Sequence, residues 1–322
     1  LSNCIVKMKK IFAVAAILFL GFANAQDKNG ITFKESPVIL KINIDQLFGT
    51  LTTPDLKTKY PVALIISGSG PTDRNGNNPM MKNNSLKMLA ETLAKNGIAS
   101  LRYDKRGIGE SKASAVSEQT LVFENYTEDA KSWINLLKQD KRFSQVIVIG
   151  HSEGSLIGII AGAKANKFIS IAGSGESADK LIKAQIASKS NKQLEDLTFP
   201  IIDSLKSGNT VKKVDPMLNS LFKASIQPYL ISWFKYNPQT EIKKLTVPIL
   251  ILQGNKDLQV TIKDAELLSQ ANKNAELLIV ENMNHIMKTI EGDSQANMES
   301  YNKESLPLSE IMTNKIVSFI KK

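Results

Sequence analysis

Cysteine is almost missing from this chain of 322 residues: there is one, Cys4. If the first 25 residues are removed, as their pattern predicts, none remains, which excludes disulfides and zinc sites of the cysteine type. Histidine is nearly as scarce, with two copies, His151 and His285. Aromatic residues amount to 6%. They do not interleave with the scattered lysines, and no nucleic-acid-binding motif is present, so the basic balance reads as a solvated surface. Beyond residue 25 no apolar run is long enough to cross a bilayer. Hydrophobic content of 42% and charged content of 22% are those of a soluble globular chain.

What the N-terminus does contain is a leader pattern. From Met8 the text reads MKKIFAVAAILFLGFANAQ, with Lys9 and Lys10 ahead of an apolar stretch over 11–22. Ala23-Asn24-Ala25 then gives a small-x-small cleavage site. This is the layout of a secretory signal peptide, predicting export to the periplasm or medium with cleavage after Ala25, and residues 1–7 as an over-extended start. Losing Lys7, Lys9 and Lys10 takes the formal charge from +10 to +7, since 38 basic residues then face 31 acidic ones.

Strand-like and helix-like stretches alternate through the rest. Strands are predicted at 37–44, 46–54, 60–67, 98–104, 145–150, 167–173, 247–254 and 275–282, and helices at 85–97, 126–140, from Glu153, and 309–322. Several strands are apolar on both faces, which requires a mostly parallel sheet covered on both sides. The alternation breaks between Gly173 and Val247. The expected organisation is an α/β core over 26–176 and 244–322 with a helical cap inserted at 177–243. Phe222, Tyr229, Trp233, Phe234 and Tyr236 in that insertion either line a pocket or glue it to the core.

The chemistry centres on Gly150-His151-Ser152-Glu153-Gly154. Gly-x-Ser-x-Gly between a strand and a helix is a nucleophile elbow, a turn so tight that both flanking positions must be small. Ser152 is the expected nucleophile, and the Glu153 N–H points at the developing oxyanion. A serine needs a base, and the base needs an orienting carboxylate. His151 precedes the nucleophile in a tight turn and should point away, which leaves His285 as the base. Asp257, in the turn after the strand 247–254, holds the chain-order position of the acid. Asp264 falls on the next helix, and the Glu153 side chain reads as a bystander.

The glycine loop SGSGPTDRNGNN, 67–78, follows the strand that should deliver the second oxyanion donor. Ser69 N–H is the best candidate, with Gly70 the fallback. Asp73 and Arg74 either touch substrate or brace the loop, with bracing the better fit. The spacing Asp73-x-Asn75-x-Asn77 is not a calcium loop, because position six is Asn78 and position twelve Asn84. YDKRGIGES, 103–111, lacks the third glycine of a dinucleotide fingerprint, and Asp104 and Arg106 are expected to pair with each other.

Taken in order, SGSGPTDRNGN, RYDKRGIGES, GHSEGS, PILILQGNKD and NMNH resemble the α/β-hydrolase superfamily over roughly residues 38–320. The set is most similar to bacterial carboxylesterases and serine-aminopeptidase-like (lysophospholipase-like) hydrolases. The resemblance implies an eight-stranded, mostly parallel sheet, a cap after the sixth strand, and hydrolysis without cofactor or metal. Ser67 departs from it, standing where many relatives carry the histidine of an HG oxyanion motif. The expected function is an exported carboxylesterase acting on a small-molecule ester. The alternatives are a peptidase, aminopeptidase or acyltransferase on the same fold and, less well supported, a binding protein without turnover.

Overall fold

The computed structural model describes residues 31–114, 117–188 and 191–322. The predicted leader and Cys4 lie outside the described residues. Eight strands form one sheet: β1 (Phe33–Ile42), β2 (Asp45–Pro54), β3 (Tyr60–Ile66), β4 (Ala99–Tyr103), β5 (Phe143–His151), β6 (Lys167–Ile171), β7 (Ile249–Gly254) and β8 (Ala275–Val280). Their spatial order is β1-β2-β4-β3-β5-β6-β7-β8. The first two pairings are antiparallel and every pairing from β4 to β8 is parallel.

The sheet is apolar on both faces for a period-two reason. Val62, Leu64 and Ile66 of β3, with Val146 and Val148 of β5, point to one face. There they meet Phe123, Ala130 and Trp133 of α2 (Phe123–Gln139), and Leu156 and Ile157 of α3 (Glu153–Ala161). The alternate residues Ala63, Ile65, Ile147 and Ile149 meet α1 (Ser85–Lys95) and the C-terminal helix Glu310–Lys321 on the other face. Helix α1 buries Leu86, Leu89, Ala90, Leu93 and Ala94, one stripe at helical spacing. Nearly every residue of α3 is buried, as befits a helix enclosed on all sides.

The β1–β2 hairpin differs from expectation. Strand β1 begins earlier, at Phe33, and the chain turns at Asn43-Ile44, with Asn43 left-handed at φ 55°. After the buried Phe33, Lys34, Glu35 and Ser36 are polar and only half-buried, so they give no alternating signal.

Between β6 and β7 the chain forms α4 (Ala178–Ala187), α5 (Lys192–Lys206), α6 (Asn219–Phe222), α7 (Gln227–Trp233) and α8 (Pro238–Ile242). The apolar stretch 216–236 is broken into short pieces rather than one helix, with Pro228 seated in the first turn of α7, where its missing N–H costs nothing. These helices share a core of Ile202, Leu205, Phe222 and Phe234. Phe123 stacks on Trp233 with ring centroids 6.1 Å apart, tying them to α2. The last helices are α9 (Ile262–Ala271), α10 (Ser294–Ser300) and α11 (Glu310–Lys321). No helix among the described residues is long and apolar enough to cross a membrane.

Because β3 to β8 run parallel, the loops after β3, β4, β5, β7 and β8 all leave one edge of the sheet. That edge is where open α/β sheets collect functional residues.

Candidate active site

Ser152 joins β5 to α3 with φ 55° and ψ −122°, a left-handed conformation on a residue with a side chain. Such strain costs on the order of 1–3 kcal/mol and persists only where the surroundings enforce it. Here they do. A Cβ on Gly150 would collide with the Gly154 carbonyl, and one on Gly154 with the Ile66 and Ser67 carbonyls. Ser152 N–H donates to the Ile171 carbonyl at 2.9 Å, pinning the turn to β6. The side chain heads a nine-residue helix, whose N-terminal end carries partial positive charge.

Asp257 lies in the turn after β7. Its Oδ1 accepts the amides of Gln259 (2.7 Å) and Val260 (3.0 Å), and its Oδ2 accepts Gln253 Nε2 (3.0 Å) and His285 Nδ1 (2.8 Å). Burial alone would raise the carboxyl pKa. The neighbouring His285, with these hydrogen bonds, outweighs burial and holds it below the ordinary value. A carboxylate only accepts, so His285 Nδ1 carries a proton toward Asp257, and among the described residues Nε2 has no hydrogen-bond partner.

His151 occupies a different place. Its Nε2–H donates to the His285 carbonyl at 2.8 Å, and the two rings lie 4.9 Å apart. Burial first, and the charge of His285 second, drive its pKa down to about 4. It is a neutral prop under the loop that carries His285. Asp264 is likewise structural: it caps α9 by accepting Thr261 N–H and Oγ1–H, and takes the Gly175 amide at 3.0 Å. Among the described residues, no hydrogen bond joins Ser152 Oγ to either histidine. Contacts of this kind commonly form only with substrate in place.

Ser69, Gly70 and Pro71 border a cavity of about 760 Å³ that opens above Ser152. Among the described residues, the Ser69 and Glu153 amides donate to no protein acceptor. Asp73 and Arg74 do not line the cavity. Asp73 Oδ1 takes the amides of Asn75 (2.8 Å) and Asn77 (2.9 Å), closing the loop on itself. Arg74 is buried against Asp104 at 2.7 Å and also pairs with Glu110. The expected Asp104–Arg106 pair does not form. Asp104 serves Arg74 instead, and Arg106 pairs with Asp129 at 2.6 Å and with Asp45. Both ion pairs cross between distant segments, which no local spacing reveals.

The cavity wall is mostly apolar, with Leu156, Leu181, Ile182, Ile226, Leu230 and Trp233 among its residues. Of the cap aromatics, Tyr229 and Trp233 face it, while Phe222 and Phe234 fill the cap's own core and Tyr236 packs on Phe123. The Glu153 side chain is no bystander. It is buried in the cavity floor, pairs with Lys105 at 2.5 Å and accepts the Tyr229 hydroxyl. Lys105 drew no notice in the sequence, although it stands within YDKRGIGES.

A mostly parallel sheet covered on both faces, with a strained Gly-x-Ser-x-Gly turn between β5 and α3 and helices inserted between β6 and β7, defines an α/β-hydrolase fold. Residues 82–289 match the family described as serine aminopeptidase, S33, and the chain belongs to that family. The esterase EstD of Thermotoga maritima is 29% identical over 267 residues. That alignment takes in 79% of this chain and 61% of the relative's length. Among solved structures, Est1E from Butyrivibrio proteoclasticus, with ferulic acid bound, superposes with a TM-score of 0.58 at 17% identity, covering 88% of this chain and 99% of its own. A thermophilic esterase from Thermogutta terrifontis gives 0.52 at 13%, covering 89% and 98%. Both likenesses are of fold.

Proposed function

We propose that the protein is a carboxylesterase that hydrolyses small to medium acyl esters through Ser152, His285 and Asp257. The observation that carries this reading is Ser152 itself, held in a strained elbow at the floor of a largely apolar cavity. His285 Nε2 removes the Ser152 proton, and Oγ attacks the ester carbonyl. The Ser69 and Glu153 N–H groups hold the oxyanion, preorganised donors of the kind that supply the largest electrostatic contribution to acyl transfer. His285 then protonates the departing alcohol, and water, activated the same way, releases the acid. Asp257 keeps the imidazole in the Nδ1–H form and stabilises its cation. Proximity of the bound ester replaces a bimolecular encounter.

Ester chemistry is favoured over aminopeptidase chemistry by the charges in the cavity wall. An aminopeptidase needs an unpaired carboxylate to receive the substrate ammonium. The three acids lining this cavity are each matched to a lysine: Glu153 to Lys105, Glu118 to Lys223 and Glu176 to Lys180. Acyl transfer to a second alcohol would use the same residues and has no separate observation in its favour. The leader pattern supports export, with the mature chain starting at Gln26.

The test is a substrate panel run on protein recovered from a bacterial envelope extract and N-terminally sequenced. Turnover of p-nitrophenyl acetate and butyrate is expected to exceed that of aminoacyl p-nitroanilides by at least about a hundredfold. Anilides as good as the esters would replace this reading with the aminopeptidase one. An N-terminus upstream of residue 26 would remove the export proposal.

A further inference from the structure

The mechanism above gives no role to Lys105, one of several buried cations among the described residues. Lys105, in the loop after β4, has 1% of its surface exposed and borders the cavity. Its Nζ donates to Glu153 Oε2 at 2.5 Å and to the Gly68 carbonyl at 2.7 Å, and lies 4.9 Å from the centroid of the Tyr126 ring. The second of these contacts carries the argument. Gly68 C=O and Ser69 N–H belong to one planar peptide unit, and no peptide bond among the described residues is cis. Fixing the carbonyl therefore fixes the direction of the N–H, which in a trans peptide points away from the ammonium. Drawing electron density to the oxygen also makes that N–H a stronger donor. The first contact holds Glu153, whose amide is the other donor.

We propose that Lys105 is the positioning residue of the oxyanion hole, aligning the Gly68–Ser69 peptide so that its N–H faces the same point as the Glu153 N–H, with the Glu153 carboxylate as the counter-ion of the ammonium. The proposal rests on the esterase reading of Ser152. The Tyr229 hydroxyl, donating to Glu153 Oε1, links that counter-ion to α7. Cap, elbow and oxyanion loop thus meet at one ion pair. A purely structural role would need only that the charge of Glu153 be neutralised; alignment also needs the bond to Gly68.

Two variants separate these roles. Glu153→Gln removes the charge pair but keeps Lys105 on the Gly68 carbonyl. Lys105→Met with Glu153→Gln removes both contacts and leaves no uncompensated buried charge. Ester kinetics are measured beside the inhibition constant of a trifluoromethyl ketone, which forms a tetrahedral oxyanion adduct on the serine. The double variant is expected to lose about ten- to a hundredfold in kcat, with KM changed by less than about threefold. Ketone affinity is expected to fall in step with kcat/KM, while Glu153→Gln alone loses far less of each. Lys105→Gln with Glu153→Gln, whose amide N–H can still donate to the Gly68 carbonyl, guards against misfolding and is expected to recover part of the loss.

Wild-type kcat and ketone affinity in a folded double variant would overturn the proposal, as would an equal loss in Glu153→Gln alone. Labelling of the wild type by a fluorophosphonate keeps the two readings apart. A labelled wild type with an unaffected double variant sinks this inference only. An inert, unlabelled wild type sinks the esterase reading, and this inference with it.

Discussion

The two histidines have the same side chain and opposite environments. His285 is oriented through Nδ1 by a carboxylate and, among the described residues, has no hydrogen-bond partner on Nε2, whereas His151 spends its N–H on a carbonyl in a buried site. A buried histidine with a depressed pKa leaves a signature in stability. The unfolded chain takes up a proton near pH 6.5, the folded protein near 4. The stability contributed by keeping His151 neutral is complete above pH 6.5 and is lost as the pH falls toward 4, by about 3 kcal/mol. Denaturant unfolding of the wild type against His151→Gln is expected to show that loss between pH 7 and pH 4 in the wild type alone. Parallel curves would contradict the assignment. That His285 and not His151 would meet Asp257 was readable from the sequence, because the tightness of an elbow dictates where its neighbours point. The side-chain role of Glu153 was not, since its partners lie 48 and 76 residues away.

At the level of elements, the strands legible from sequence are those buried on both faces. Runs such as the VALII of β3 and the VIVI of β5 have no other stable placement than the middle of a covered sheet. The polar opening of β1 and the breaks in the stretch 216–236 left no such mark. The cap is fastened to the core at many points, among them Ser232 on the Phe123 amide, Tyr236 on Glu124 and the Tyr229 hydroxyl on Glu153. Tyr229→Phe strands a buried carboxylate oxygen, so a loss of about 1–3 kcal/mol is expected by chemical denaturation. Faster proteolysis within 178–242 is expected to accompany it, since contacts there are released first. An unchanged stability and cleavage rate would mean that the other attachments hold the cap without this hydroxyl.

Across the whole molecule, topology explains why residues scattered from Ser69 to His285 lie on loops at one edge of the sheet. Every parallel strand delivers its following loop to the same edge, so chain order becomes spatial proximity. That Ser152, Asp257 and His285, each following a parallel strand, would sit at this edge was therefore legible before any coordinates. The ion pairs that stiffen the edge, Arg74–Asp104 and Arg106–Asp129, were not, because each joins loops brought together only by the finished sheet. The central claim, that Ser152 is an activated nucleophile driven by His285 and not by His151, is tested most directly by fluorophosphonate labelling rates with the modified residue located by mass spectrometry. The account predicts labelling at Ser152 in the wild type and none in Ser152→Ala. It also predicts a rate reduced roughly a thousandfold or more in His285→Ala and a readily measurable rate in His151→Gln. Wild-type labelling in His285→Ala, or a modified residue other than Ser152, would contradict it.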